Sequence, residues 1–201
     1  SQGDVNEAMV FASSFGAPAV FVCSNNQWAI SEPVTVQAKF PIAGRAPGFG
    51  IPSMRVDGND VIACMAAMRW ALDHARSGEG PAFLEAVTYR MGPHTTSDDP
   101  TRYRSPDDLE AWRARDPLSR VEAFLTAVDA FDDDFQAEVD AAALDVTTRM
   151  RAAVTEAVTA PPLSVLDHVY ELPHTGIDEG RARFAAYLSG FADEYEEQVS
   201  R

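Results

Sequence analysis

Apolar positions along the first ninety residues change period several times. Val5, Ala8, Met9, Ala12 and Phe15 fall on one face of a helix over residues 4–15, with Asp4 placed to cap it and Gly16 to close it. "PAVFVC" (18–23) is a short continuous apolar run, the pattern of a strand buried on both faces. "PIAGRAPGFG" (41–50) is rich in Gly and Pro and predicts a loop. "SMRVDG" is a second strand, and "AFLEAVTYR" a third. Between them, Asn59 or Asp60 caps a helix running through Ala75, with Gly78 just past its end. This α-β-(loop)-β-α-β order predicts an α/β layer with a largely parallel sheet flanked by helices.

From Met91 to Arg104 the apolar period disappears, and "MGPHTTSDDPTRYR" predicts a long polar loop. Ser105-Pro106 and Asp116-Pro117 each start a helix with Pro in its first turn. A long amphipathic helix follows over 131–158, carrying Phe131, Phe135, Val139, Leu144, Met150 and Val154, and Pro161-Pro162 breaks it. A last helix starts near Asp178, so the second half forms a helical C-terminal region.

Charge separates the same halves. The formal net charge of the 201 residues is −15, and residues 106–201 hold twenty-one acids against eight bases. Phosphate backbones need clustered Lys and Arg, so nucleic acid is excluded as a partner. No stretch approaches the ~18 consecutive apolar residues of a membrane helix, and no secretory leader is visible. Cys23 and Cys64 sit among apolar residues without metal-ligand spacing, which points to core positions in a reducing, cytoplasmic compartment. One lysine against fifteen arginines, with many aspartates, suits an acidic, salt-adapted proteome; a GC-rich genome gives the same exchange.

Two stretches carry candidate chemistry. Asn25 and Asn26 stand where the chain leaves the first strand, the place where open α/β sheets bind ligands. An amide oxygen with a nearby main-chain carbonyl suits Mg²⁺, which takes few protein ligands and completes its shell with phosphate. An ordinary Asx-turn accounts for the same pair. His94 lies in the polar loop after the third strand, among Arg90, Asp98, Asp99, Arg102 and Arg104. Arg–Asp pairs can lock such a loop, and a loop histidine can move a proton or steady developing charge. Gly48-Phe49-Gly50 precedes a strand and is no dinucleotide fingerprint. His168 and His174 read as structural or exposed, and Asp132-Asp133-Asp134 as a solvated helix start.

The stretches "QGDVNEAMVFA", "FVCSNNQWAIS", "RAPGFGIPSMRVDGNDV" and "YRMGPHTTSDDPTRYRS", with "LDHVYELP" further on, resemble the α subunit of the thiamine diphosphate-dependent E1 component of 2-oxo acid dehydrogenase complexes. The resemblance covers nearly the whole chain and leans toward the branched-chain type over the pyruvate type. It implies a thiamine diphosphate-binding α/β fold, with residues 1–105 the C-terminal part of that domain and 106–201 a helical acidic region packed on it. The family's Gly-Asp-Gly would fall just before Ser1, so the chain is expected to be cut within its cofactor motif.

The resemblance also assigns residues. Asn26 matches the Mg²⁺ ligand and the Trp28 carbonyl the second ligand; Ser24 stands near the diphosphate, where some relatives carry Arg. His94 matches the active-site histidine bordering the thiazolium, and Arg90, Asp98, Tyr103 and Arg104 match residues that order its loop. Thr95 stands where mitochondrial kinases phosphorylate a serine. The glutamate that activates the cofactor belongs to the β chain, so Glu7 is expected to be structural. The implied activity is oxidative decarboxylation of a small 2-oxo acid, branched-chain or pyruvate, with acyl transfer to lipoyl. The implied partners are the E1 β subunit, in an α2β2 heterotetramer, and the lipoyl domain of E2. A transketolase-type thiamine enzyme, or a truncated non-catalytic subunit, stays open as an alternative.

Overall fold

A computed structural model describes residues 2–158 and 161–191, which fall into two compact units, Ser1–Phe131 and Asp132–Arg201. The first opens with helix α1 (Gly3–Ser14), then strand β1 (Val20–Asn25). A two-residue hairpin follows, β2 (Trp28–Ala29) against β3 (Glu32–Pro33), and one turn of helix, α2 (Val34–Gln37). Strand β4 (Ser53–Asp57), helix α3 (Val61–Arg76) and strand β5 (Ala82–Val87) complete the layer. The sheet order is β1-β5-β4 and both pairings are parallel, so the α/β layer expected from the apolar runs is what forms.

The central strand explains why the sheet is covered twice. Successive side chains on a strand point to opposite faces. Ala82 and Leu84 meet Ala67 and Ala71 of α3, whose small side chains let the helix lie close to the sheet. Phe83 meets Met9 of α1, Ala43, Ala46 and Ile51 on the other face. Cys23 packs beside this second cluster, while Cys64 is half-buried on α3; both thiols are free.

Register brings three strand ends level. Val87, at the end of β5, faces Asn25 of β1 on one side and Asp57 of β4 on the other. Gly58 follows at once, and its N–H donates to the Val87 carbonyl at 2.7 Å. A Cβ at this glycine would lie 2.9 Å from that oxygen, so the approach admits no side chain. Asp60 caps α3, accepting from the Ala63 N–H.

Three local expectations are corrected. Residues 42–49 form a 3-10 helix, Ile42–Phe49, rather than a loop. Its ends are held from outside: the Glu85 carboxylate accepts from the Ala43 N–H, and the Ser13 hydroxyl donates to the Phe49 carbonyl. At α1, the N-cap is Gln2 without a side-chain bond, and Asp4 instead lies in the first turn. Val5 and Phe15, expected on the buried face of α1, are exposed, and only Met9 and Ala12 are buried there.

The first unit continues through helices α4 (Pro106–Arg113) and α5 (Pro117–Ala127), capped by Ser105 and Asp116 with Pro in the first turn as the sequence predicts. The second unit holds α6 (Asp133–Val158), a 3-10 turn Pro162–Leu166 and α7 (Thr175–Ser189). Asp132 accepts from the Phe135 N–H at the start of α6. The last helix begins three residues earlier than expected, with the His174 imidazole accepting from the Gly176 N–H. The apolar stripe foreseen on α6 is present but outward: Leu144, Met150 and Val154 are all exposed. Among the described residues no helix is long and apolar enough to cross a membrane.

Candidate functional site

The loops leaving β1, β4 and β5 gather at the carboxyl edge of the sheet, and each is fixed by side chains that the sequence places at the strand ends. After β1, both asparagines form Asx-turns. Asn25 Oδ1 accepts from the Gln27 N–H and Asn26 Oδ1 from the Trp28 N–H, each at 3.1 Å. Gln27 takes φ 71° to make this bend, a left-handed conformation uncommon for a side-chain-bearing residue. The Asn26 carbonyl in turn accepts from the Arg90 N–H.

After β4, "DGND" is a hub for the helices that follow. The Arg120 guanidinium donates to Asp57 at 2.9 Å, Asp60 at 3.1 Å and the Asn59 carbonyl at 3.0 Å. Buried Asn59 donates to the Arg115 carbonyl and accepts from the Thr88 hydroxyl. Burial pushes the Asp57 carboxyl up, but the Arg120 hydrogen bond, the Asn59 N–H and the charges of Arg120 and Arg115 outweigh it, leaving the group below the usual range.

After β5 comes the polar loop. Asp98 Oδ2 accepts from the His94 N–H at 2.8 Å and from the Tyr103 hydroxyl at 2.6 Å. Arg90 Nη2 donates to the Tyr103 oxygen at 3.0 Å and to the Ile30 carbonyl, at the hairpin tip, at 2.6 Å. The Trp28 and Tyr103 rings lie 5.3 Å apart. Arg104 binds the carbonyls of Arg90, Met91 and Gly92 in succession, with its guanidinium 5.7 Å over the Tyr89 ring. The Tyr103 hydroxyl, then the His94 N–H, hold the Asp98 carboxyl below its ordinary range, with the Arg90 charge adding; Asp98 in return raises Tyr103.

The structure thus brings Arg90, Asp98, Tyr103 and the His94 main chain into one network and ties it to the Asn26–Trp28 turn. The His94 imidazole stands exposed, as do Thr95 and Ser24. Ser24 is on β1 itself and joins none of these contacts. Cys23 is an inert thiol: burial raises it, and the nearby Glu85 charge raises it further.

Thiamine diphosphate with Mg²⁺ fits the residues present. The second lone pair of Asn26 Oδ1 remains beyond its turn contact. Trp28 pairs with Pro33, which has no N–H to claim the Trp28 carbonyl. Among the described residues no group of three His, Cys, Asp or Glu could hold a metal, and the oxygens that the turn itself offers a cation are the Asn26 amide and the Trp28 carbonyl. Three buried polar atoms beside the turn and loop, Trp28 Nε1, Tyr89 Oη and Arg90 Nε, have no protein partner.

Sequence reasoning missed Glu85, Thr88 and Arg120, and offered Asn59 only as a possible cap of α3. Glu85 carried a readable signal, an acid inside an apolar strand. The others are ordinary polar residues whose partners lie some thirty to sixty positions away.

Fold and site together define an α/β protein with its candidate ligand site outside the carboxyl ends of parallel strands. The chain belongs to the dehydrogenase E1 component family, whose model matches residues 1–165. It is 45% identical over 190 residues to a Mycobacterium tuberculosis protein named 3-methyl-2-oxobutanoate dehydrogenase subunit alpha, covering 94% of this chain and 52% of that one. Proteins named pyruvate dehydrogenase E1 component subunit alpha are also similar. The one from Acholeplasma laidlawii is 34% identical, covering 94% of this chain and 56% of its own. The one from Staphylococcus epidermidis is 42% identical, covering 85% and 47%. The chain spans about half the length of the curated relatives it matches.

Proposed function

We propose that this chain is the carboxyl-edge half of an E1 α subunit's cofactor site, working with an E1 β subunit in an α2β2 assembly and with the lipoyl domain of E2. The proposed reaction is oxidative decarboxylation of a 2-oxo acid with acyl transfer to lipoyl. The name of the Mycobacterium tuberculosis relative favours a branched-chain 2-oxo acid, with pyruvate the alternative. The observation that carries this reading is the tie between the Asn26–Trp28 turn and the His94 loop through Arg90, Tyr103 and Asp98. Nothing in a surface loop's own chemistry requires that connection, whereas a cofactor lying between the two requires both to be fixed.

Thiamine diphosphate, when bound, supplies the electron sink that lets a 2-oxo acid lose carbon dioxide. The chain's own residues hold and orient. Asn26 Oδ1 and the Trp28 carbonyl would hold Mg²⁺, which would neutralise diphosphate charge, with Ser24 two positions before Asn26 on β1. Asp98 fixes the His94 main chain and leaves the imidazole free, so that Nδ1 or Nε2 can give or take a proton at the substrate. Arg90 and Arg104 keep the loop's first residues in place. The assembly is placed in the cytoplasm.

His94→Ala in the assembled component tests this. A positioned acid–base group is worth roughly 10²–10⁴ in rate. Cofactor binding is expected to stay, decarboxylation with an artificial electron acceptor to fall modestly, and overall activity in the complete 2-oxo acid dehydrogenase complex to fall by that larger factor. Equal and small losses in both assays would make His94 a loop spacer and defeat the reading.

A further inference from the structure

Glu85 is the most deeply placed charge in the sheet. It is fully buried on the central strand, on the face where the 3-10 helix packs. A carboxylate there is strongly unfavourable unless its oxygens are matched. They are: Oε1 accepts from Asn25 Nδ2 and Oε2 from the Ala43 N–H, both at 2.7 Å, with Arg55 Nε 3.7 Å from Oε1. No proposed catalytic step uses this residue.

Its chemistry dictates the turn beside it. An ionised carboxylate only accepts, so it must face the NH₂ end of the Asn25 amide. That leaves Asn25 Oδ1 pointing at the Gln27 N–H, which fixes the bend at Gln27 and presents Asn26 to Trp28. Both ends of the Asn25 amide are then committed. Each asparagine oxygen accepts one turn N–H, but Asn25 is buried with its NH₂ held by Glu85, whereas Asn26 is half-buried and its NH₂ is bound by no described residue, so of the two only Asn26 is open to a cation.

We propose that Glu85 is a positioning residue that selects Asn26 over Asn25 as the cation ligand and holds the 25–28 turn in its binding geometry. This rests on the reading of Asn26 as a Mg²⁺ ligand given above. Glu85→Gln keeps the shape and removes the rule. The Ala43 N–H takes the new amide's oxygen, so its NH₂ faces the NH₂ of Asn25 and the Asn25 amide must turn over, setting donor against donor at Gln27. Adding Asn25→Asp repairs the pattern: the new amide on β5 would donate to one carboxylate oxygen on β1, and the other oxygen would accept from the Gln27 N–H.

The test titrates Mn²⁺, read by its electron paramagnetic resonance, into the assembled α–β component at saturating thiamine diphosphate. Glu85→Gln is expected to weaken metal affinity roughly tenfold, the lower end of what outer-shell changes cost. Turnover at saturating metal should stay near wild type, and the exchange pair Glu85→Gln with Asn25→Asp should restore affinity. Asn26→Ala is the control. If Asn26→Ala weakens the metal and Glu85→Gln does not, Glu85 only packs and the inference is overturned. If Asn26→Ala itself binds Mn²⁺ normally, the ligand reading has failed instead. Should Glu85→Gln not assemble, the exchange pair decides: assembly with wild-type affinity supports the inference, and failure to assemble or bind overturns it.

Discussion

At the scale of single residues, the site depends on which atoms can accept and which can donate. Asp98 shows this most directly. Its carboxylate takes two donors, Tyr103 Oη and His94 N, and is held below the ordinary range by them. The folded chain therefore resists protonation there more than the unfolded chain does. What Asp98 contributes to loop order is complete above the unfolded value, about 3.9, and is lost as pH falls through the lower folded value. The hydrogen-exchange protection of the His94 amide is expected to be flat near neutrality and to be lost only below about pH 4. In Asp98→Ala, which has no acceptor, that acid transition should vanish and the amide should look unprotected at every pH. A wild-type transition near pH 6 would mean that another group holds the loop. Asp98 was legible from sequence as one of several charges around His94; that it serves the His94 main chain, leaving the imidazole untouched, was not, because composition does not tell a side-chain partner from a backbone one.

At the scale of elements, what the sequence made plain was whatever rests on periodicity and capping. The three strands, α1 and α3, and the Pro-led starts of α4 and α5 all follow local rules. Hidden elements are those whose partners are distant. The 3-10 helix Ile42–Phe49 contains Pro47 and two glycines, composition that favours a loop, and it is held at its ends by Glu85 and Ser13. The β2–β3 hairpin has two residues per strand, too few for any period, and its tip is gripped by Arg90 from 60 positions away. Gly58 joins two elements in a way that sequence shows only as a turn glycine. Gly58→Ala would press a methyl against the Val87 carbonyl, so β4 and β5 must part where their ends are level. We expect a loss of about 1–3 kcal/mol, typical of overpacking, read as a lower urea midpoint at unchanged slope. A midpoint within error of wild type would show that the strand ends yield freely, and the strict register described above would then matter less to the site.

For the molecule as a whole, charge and edges matter more than any one contact. A net charge of −15 keeps copies of the chain apart at long range and is screened by salt, with a Debye length of about 8 Å at physiological ionic strength. The sheet has an opposite tendency. β1 pairs with β5 on one side and, among the described residues, with no strand on the other. Val22 on that strand is 53% exposed and shares a shallow apolar depression with Val5, Val34 and Ile42. An open, apolar strand edge is a template for another chain's backbone. These two tendencies set a practical limit on handling the 201 residues alone. Light scattering should find them dispersed in low salt and self-associating as salt rises, the reverse of what a purely charge-driven contact would do. Val22→Lys should move the onset to higher salt without changing helix content by circular dichroism. If the variant clusters at the same salt as wild type, the sticky surface lies elsewhere. The open edge of β1, which in the folded sheet is only an unpaired row of amides and carbonyls, thus becomes in the test tube the feature that decides shelf life.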